Sequence, residues 1–341
     1  MGLPDYETIR WERRGRVLRL ELNRPDRLNA VNAAMHTELA RVFADAAEDR
    51  GSDVIVLTGA GRAFCAGGDL DWQQSAIDDP LSFELTATEA KKIVFSLLDC
   101  EKPVIARVNG PAVGLGCTLA LFCDVIFAAE DAVISDPHVK VGMVAGDGGA
   151  VIWPQLIGYA RAKEFLMTGD KLTGAQAAAM GLVNHALPAA ELDAAVDAFA
   201  DRLAGSALQA VRWSKVSVNI GLKQLAHAIM DASIAYEALT NRSADHAEAI
   251  AAMGEALDGY YVRGINHNMS FLSALINHPR FVEGRLTTAF IDDEYPGGFT
   301  GAPREGPLLD ALLAAGVLMH RRNGQREASI SGRLAHDRPA F

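Results

Sequence analysis

At 341 residues the chain is long enough for two domains, or for one large α/β domain with an appendage. Half of the residues are hydrophobic and 22% are charged, the composition of a soluble globular protein with a sizeable core. A formal net charge of -11 argues against nucleic acid or an anionic membrane as main partner, because both demand a basic footprint, but leaves open an anionic ligand held by backbone amides.

Residues 1–14 alternate charged and apolar character and lack the continuous apolar core of a signal peptide. No run approaches the ~20 apolar residues of a membrane span. Val17 to Leu22 reads as a strand with Leu18, Leu20 and Leu22 on one face, broken by Asn23-Arg24-Pro25-Asp26. Met35, Leu39, Val42, Phe43 and Ala46 then fall on one helical stripe, ended by Gly51. Val54–Leu57, Val104–Val108 and Val125–Ala128 are short apolar strands, and a small-residue helix spans Cys117–Cys123. From Glu191 the pattern is helical: one helix through Ala204, a second from Ala207 to Ile220 and a third from Leu222 to Met253. Strands alternating with helices suggest parallel pairing through right-handed crossovers, hence a core of repeated ββα units followed by a helical region. Cys65, Cys100, Cys117 and Cys123 show no CxxC spacing and lie in apolar settings; they read as reduced core thiols of a cytoplasmic protein, neither a disulfide set nor a metal site.

Two loops stand out for chemistry. Gly61 to Leu70 follows a strand, and Asn109 to Leu119 follows another and opens a helix. Each sets glycines where a ligand must approach the backbone closely, and the second aims free helix N-terminal amides at it. Two amides converging on one carbonyl oxygen form an oxyanion hole worth roughly 3–4 kcal/mol per donor. Gly114-Leu-Gly116 lacks the third glycine of a dinucleotide fingerprint, and no phosphate loop or nucleophile elbow occurs.

Taken together, Phe64-Cys-Ala-Gly-Gly-Asp-Leu70, Asn109 through Ala120, Cys123-Asp124, Asn23 through Ala30, Thr168-Gly-Asp170, Ala175 through Asn184 and Arg242 through Glu248 resemble the crotonase (enoyl-CoA hydratase/isomerase) superfamily over about 6–253. The resemblance implies a crotonase-like α/β fold, a repeated ββα superhelical core over 1–190 with a helical C-terminal region over 191–253. It implies that the backbone N–H groups of Ala66 and Leu115 form the oxyanion hole for an acyl- or enoyl-CoA thioester. Arg27, Leu28, Ala30, Gly67, Gly68, Asp69, Leu70, Gly114 and Thr118 would border the same substrate, whose coenzyme A is the only cofactor-like group implied. Glycine is common at the second donor position, so the Leu115 side chain would narrow or redirect the acyl pocket.

The two glutamates that hold water in family hydratases are absent; Thr118 and His138 stand at the corresponding positions. Asp147, in Gly142-Met-Val-Ala-Gly-Asp-Gly-Gly149, is the candidate general base, its pKa raised by desolvation, and His138 the second acid/base. A structural histidine at 138 and a helix N-cap at 147 are the competing readings. Asp69 and Asp136 read as loop braces.

Hydration of a 2-enoyl-CoA is the default reaction that the resemblance implies; isomerisation, decarboxylation and thioester hydrolysis pass through the same oxyanion. A non-catalytic CoA-binding scaffold is the reading from another class. Relatives imply a homotrimer or dimer of trimers. The tail, 254–341, has no lysine and a Pro/Gly-rich stretch around 296–307. It resembles a C-terminal fragment of the biotin carboxylase part of propionyl-CoA carboxylase-type α subunits, which implies a fused, partly disordered carboxylase-like tail that could recruit a carboxylase subunit.

Overall fold

The computed structural model describes residues 3–79 and 81–258. Strand β1 (Ile9–Arg14) turns at Gly15, at φ +59°, and pairs antiparallel with β2 (Val17–Leu22). Charged residues fill most of β1, so only Ile9 and Trp11 hint at a strand, as befits a sheet edge. Helix α1 (Ala33–Glu48) starts where the Asn32 side chain accepts the Met35 amide, and it buries the expected stripe of Met35, Leu39, Val42, Phe43 and Ala46. Strand β3 (Val54–Gly59) is buried on both faces, as a central parallel strand must be.

Helices α2 (Leu70–Asp78) and α3 (Ser82–Asp99) lead to β4 (Val104–Val108), the short β5 (Ala112–Val113) and α4 (Leu115–Leu121). The pattern recurs as β6 (Val125–Ala129), β7 (Val133–Ser135), a 3-10 turn at His138–Val141, α5 (Gly149–Ile157) and α6 (Tyr159–Thr168). After β8 (Leu172–Thr173), α7 (Gly174–Ala179) and β9 (His185–Leu187) come the long C-terminal helices α8 (Ala189–Ala204), α9 (Leu208–Asn241) and α10 (Ala244–Asp258). One sheet has the order β1-β2-β3-β4-β6-β9, parallel beyond the first pair; a second has the order β5-β7-β8. The repeated ββα plan and the helical C-terminal region are therefore present.

Two boundaries differ from expectation. Helix α9 runs unbroken through Gly221, where the sequence predicts a break, because an interior glycine costs only about 1 kcal/mol and packing against α3 and α5 outweighs it. The interruption falls instead at Arg242 and Ser243, and α10 continues through Gly254 to Asp258. The chain divides into two units, Met1–Tyr260 and Tyr261–Phe341. The tail for which the sequence suggests a carboxylase-like fragment lies, beyond residue 258, outside the described residues. All four cysteines are buried free thiols, and among the described residues no helix is long and apolar enough to cross a membrane.

Candidate active site

The two glycine-rich loops lie side by side because backbone hydrogen bonds stitch them together. Phe64 and Cys65 donate to the Pro111 carbonyl at 3.0 and 2.9 Å, and Val113 donates to the Cys65 carbonyl at 2.9 Å. Glycine is required at two points of approach. A Cβ on Gly116 would stand 2.4 Å from the Cys65 carbonyl oxygen, and one on Gly67, at φ +92°, would stand 3.1 Å from that of Val113.

Leu115 opens α4, and its backbone N–H has no acceptor among the described residues, as the first turn of a helix dictates. The expected second donor differs. The Ala66 N–H donates to the Leu28 carbonyl at 3.1 Å, because Leu28 adopts a left-handed conformation, φ 52°, that turns its carbonyl toward the loop. The two amides are thus on neighbouring loops, one open and one engaged.

The early segment braces this arrangement. Arg24 forms an ion pair with Asp69 at 2.9 Å and also donates to the Ala30 carbonyl. Asp69 caps α2 by accepting the Asp71 amide, so it is the brace that the sequence predicts. Arg27 is exposed, 3.7 Å from the Asp71 carboxylate, and Leu70 begins α2. Gly68 and Leu115 line one cleft.

His138 and Asp147 line the same cleft. His138 Nδ1 lies 2.5 Å from the buried Asp136 carboxylate, and Nε2 lies 3.8 Å from that of Asp147. Asp136 is therefore more than a loop brace: it fixes the imidazole so that Nε2 faces the cleft. The second loop also runs beside this ring, since a Cβ on Gly114 would stand 3.6 Å from His138 Cε1. Thr118 Oγ1 donates to Asp147 at 3.3 Å, so the threonine holds the carboxylate in place. Gly148, not Asp147, occupies the N-cap of α5 and offers no side-chain cap, although the Gly149 amide also faces Asp147.

A fourth titratable group joins from α9. Glu237 is buried in the cleft wall, and Gly146 is required beside it, where a Cβ would meet its Oε2 at 2.7 Å. The sequence carries one signal for it: Met230, Ser233, Ile234, Glu237 and Asn241 form the buried stripe of α9, and a glutamate is out of place there. Burial pushes its carboxyl up to about 8, and the Asp147 charge adds to that. Burial likewise raises Asp147, against the opposing pull of His138. Burial would lower the His138 pKa, but the Asp136 and Asp147 carboxylates outweigh it and hold it well above the usual histidine value. Glu237 is thus held in its protonated form at neutral pH, and the two aspartates beside His138 favour its charged form.

Asp136, His138 and Asp147 each offer an atom within 4.8 Å of the others. Nδ1 is committed to Asp136, which fixes the ring and leaves Nε2 as the atom that faces Asp147.

One open backbone amide beside the cleft, with the Asp136–His138 pair facing Asp147, is an arrangement chemically able to hold an oxyanion and to move protons. The sequence pattern of the Enoyl-CoA hydratase/isomerase family matches residues 12–261, and the chain belongs to that family. It is 35% identical over 226 residues to the crotonyl-CoA hydratase of Syntrophomonas wolfei, covering 64% of this chain and 84% of that one. The crystal structure of an enoyl-CoA hydratase/isomerase from Mycobacterium paratuberculosis is similar with a TM-score of 0.69 at 37% identity, covering 73% of this chain and all of that one. A β-diketone hydrolase from the cyanobacterium Anabaena, solved with (S)-3-oxocyclohexyl acetic acid bound, is similar at 31% identity with a TM-score of 0.65, covering 70% of this chain and 95% of that one.

Proposed function

We propose that the chain adds water to a 2-enoyl-CoA, with Asp147 as general base and the protonated Glu237 and His138 as proton source. The observation that carries this is the relay of Asp136, His138 and Asp147 beside the open Leu115 amide. The thioester oxygen accepts the Leu115 N–H and shares the Ala66 N–H with the Leu28 carbonyl. Asp147 takes a proton as the water oxygen bonds to Cβ, and the Cα–Cβ π electrons pass to the thioester oxygen as an enolate. A proton from the Glu237–His138 side then reaches Cα, the enolate collapses, and one water has been added. An oxygen 2.8 Å from both Nε2 and Asp147 is geometrically available, because the two groups are 3.8 Å apart. The expected experiment is loss of the enone absorbance of crotonyl-CoA on addition of purified protein, with Asp147→Asn abolishing it.

A second reading has a specific observation in its favour. Thr118 and His138 stand where hydratase glutamates are expected, and one similar structure is a β-diketone hydrolase. In that reaction the same base activates water toward a carbonyl carbon. The bond between that carbon and the neighbouring α-carbon breaks, giving a carboxylic acid. The departing carbanion is held as an enolate in the amide hole and is protonated to a ketone. Acid release from a cyclic 1,3-diketone, with crotonyl-CoA untouched, would replace hydration by this reading. A homotrimer or dimer of trimers and a role for the tail in recruiting a carboxylase subunit complete the proposal, both supported by the sequence resemblance.

A further inference from the structure

The cleft carries a second set of polar groups that the reaction does not use. His36, in the first turns of α1, presents Nδ1 to the Glu89 carboxylate of α3 at 2.8 Å, and both side chains are nearly fully buried. The imidazole packs against the Trp72 ring of α2 with centroids 5.1 Å apart, and His36, Trp72 and Gln73 all line the cleft. Burial works to raise the Glu89 pKa, yet hydrogen bonds from His36 and Thr37 and the His36 charge bring it below the ordinary value. Gln73 Oε1 is buried without a partner, and His36 Nε2 has no hydrogen bond among the described residues. No hydrogen bond among the described residues joins this pair to the Asp136–His138–Asp147 relay.

A buried imidazole–carboxylate pair of this kind is weak evidence for stability, since a well-packed apolar pair often serves as well. The rest of the wall shows what an apolar lining looks like here: Ala76, Phe83 and Met143 form a small buried cluster on the same cleft. A pocket for a plain hydrocarbon chain would extend that surface. An imidazole clamped through Nδ1, together with an unpartnered amide oxygen, would instead be left unsatisfied by such a chain.

We propose that the substrate bears a second oxygen function, remote from the reacting carbonyl, which His36 Nε2 and the Gln73 amide receive. This rests on the thioester reading and deepens it: the acyl group is oxygenated, as an alcohol, a ketone or an acid, and not a straight hydrocarbon. His36 is a specificity-determining residue, and Glu89 positions it.

Calorimetric titration with hexanoyl-CoA and 6-hydroxyhexanoyl-CoA tests this without turnover, and 6-oxoheptanoyl-CoA against heptanoyl-CoA repeats the test with a ketone. The wild type is expected to bind the oxygenated member of at least one pair about tenfold more tightly, the worth of one hydrogen bond in a dry site. His36→Leu and, independently of any folding defect in it, Gln73→Leu are expected to shrink that ratio toward one. Equal affinities in both pairs for the wild type, or a ratio untouched by both substitutions, overturn the inference and leave the thioester reading standing. Failure of every thioester to bind overturns both.

Discussion

His138 Nε2 stands 3.8 Å from the Asp147 carboxylate while Asp136 holds the opposite ring nitrogen at 2.5 Å. That spacing is too long for a direct hydrogen bond and short enough for one oxygen atom to touch both groups. It makes the two side chains a unit that acts on a third atom, and their removal should therefore be non-additive. Asp147→Asn and His138→Gln are each expected to lower kcat by about 10²–10⁴-fold with little change in KM. The double variant is expected to fall little further, as steady-state kinetics on the accepted substrate will show.

The Leu115 amide can be deleted without losing the helix. Proline is tolerated at the first helical position, because the N–H there has no intrahelical partner. Leu115→Pro is expected to cost about 10²–10³-fold in kcat, the effect of one oxyanion donor. Leu115→Ala keeps the amide and is expected to alter chain-length preference far more than kcat. Equal losses in the two variants would assign the effect to packing.

Glu237 gives a pH dependence of definite sign. Its carboxyl is raised in the folded protein to about 8 from an ordinary 4.5. Stability that it contributes is fully present below the unfolded value of 4.5 and is lost as pH rises through about 8. Glu237→Gln removes this loss. Its Tm relative to the wild type is expected to rise between pH 6 and pH 9, by an amount on the order of 1–3 kcal/mol in stability. Thermal melts of both proteins across that range provide the check, and a flat difference would show that Glu237 does not titrate there.

Asp136 acts through His138. Removing its charge is expected to lower the His138 pKa, since the Asp136 carboxylate is the largest of the influences that raise it. The pH profile of kcat/KM for Asp136→Asn should shift its histidine limb to lower pH. A change in maximal rate with an unmoved profile would mean a packing defect instead.

The outer surface of α9 predicts association. Trp213, Val218, Ile220, Tyr236 and Leu239 are exposed along it, more apolar surface than one helix ordinarily shows to water. Light scattering is expected to report a mass several times the 36.4 kDa of one chain, with three copies the first expectation.

Much of the frame is legible in the sequence because hydrophobic period and glycine placement speak locally. The leucines of β2, the Met35-to-Ala46 stripe and the two loops lie where their spacing puts them. Strands β5, β7 and β8 are two or three residues long and carry no readable period. The course of α9 through Gly221 is decided by packing against other helices, which no local rule reports. His138 and Asp147 were readable from their loops, whereas Glu237 arrives from a helix ninety positions further on, and only the tertiary fold reveals that its buried stripe faces the cleft. The engagement of Ala66 by Leu28 was equally hidden, since it depends on one left-handed residue in a distant turn.

The most direct test compares crotonyl-CoA hydration by the wild type and by Asp147→Asn, each confirmed folded by its melting curve. The expected result is measurable hydration by the wild type and a loss of about 10²-fold or more in the variant. Hydration of equal rate in both proteins would contradict the assignment of Asp147 as the base beside the Leu115 amide.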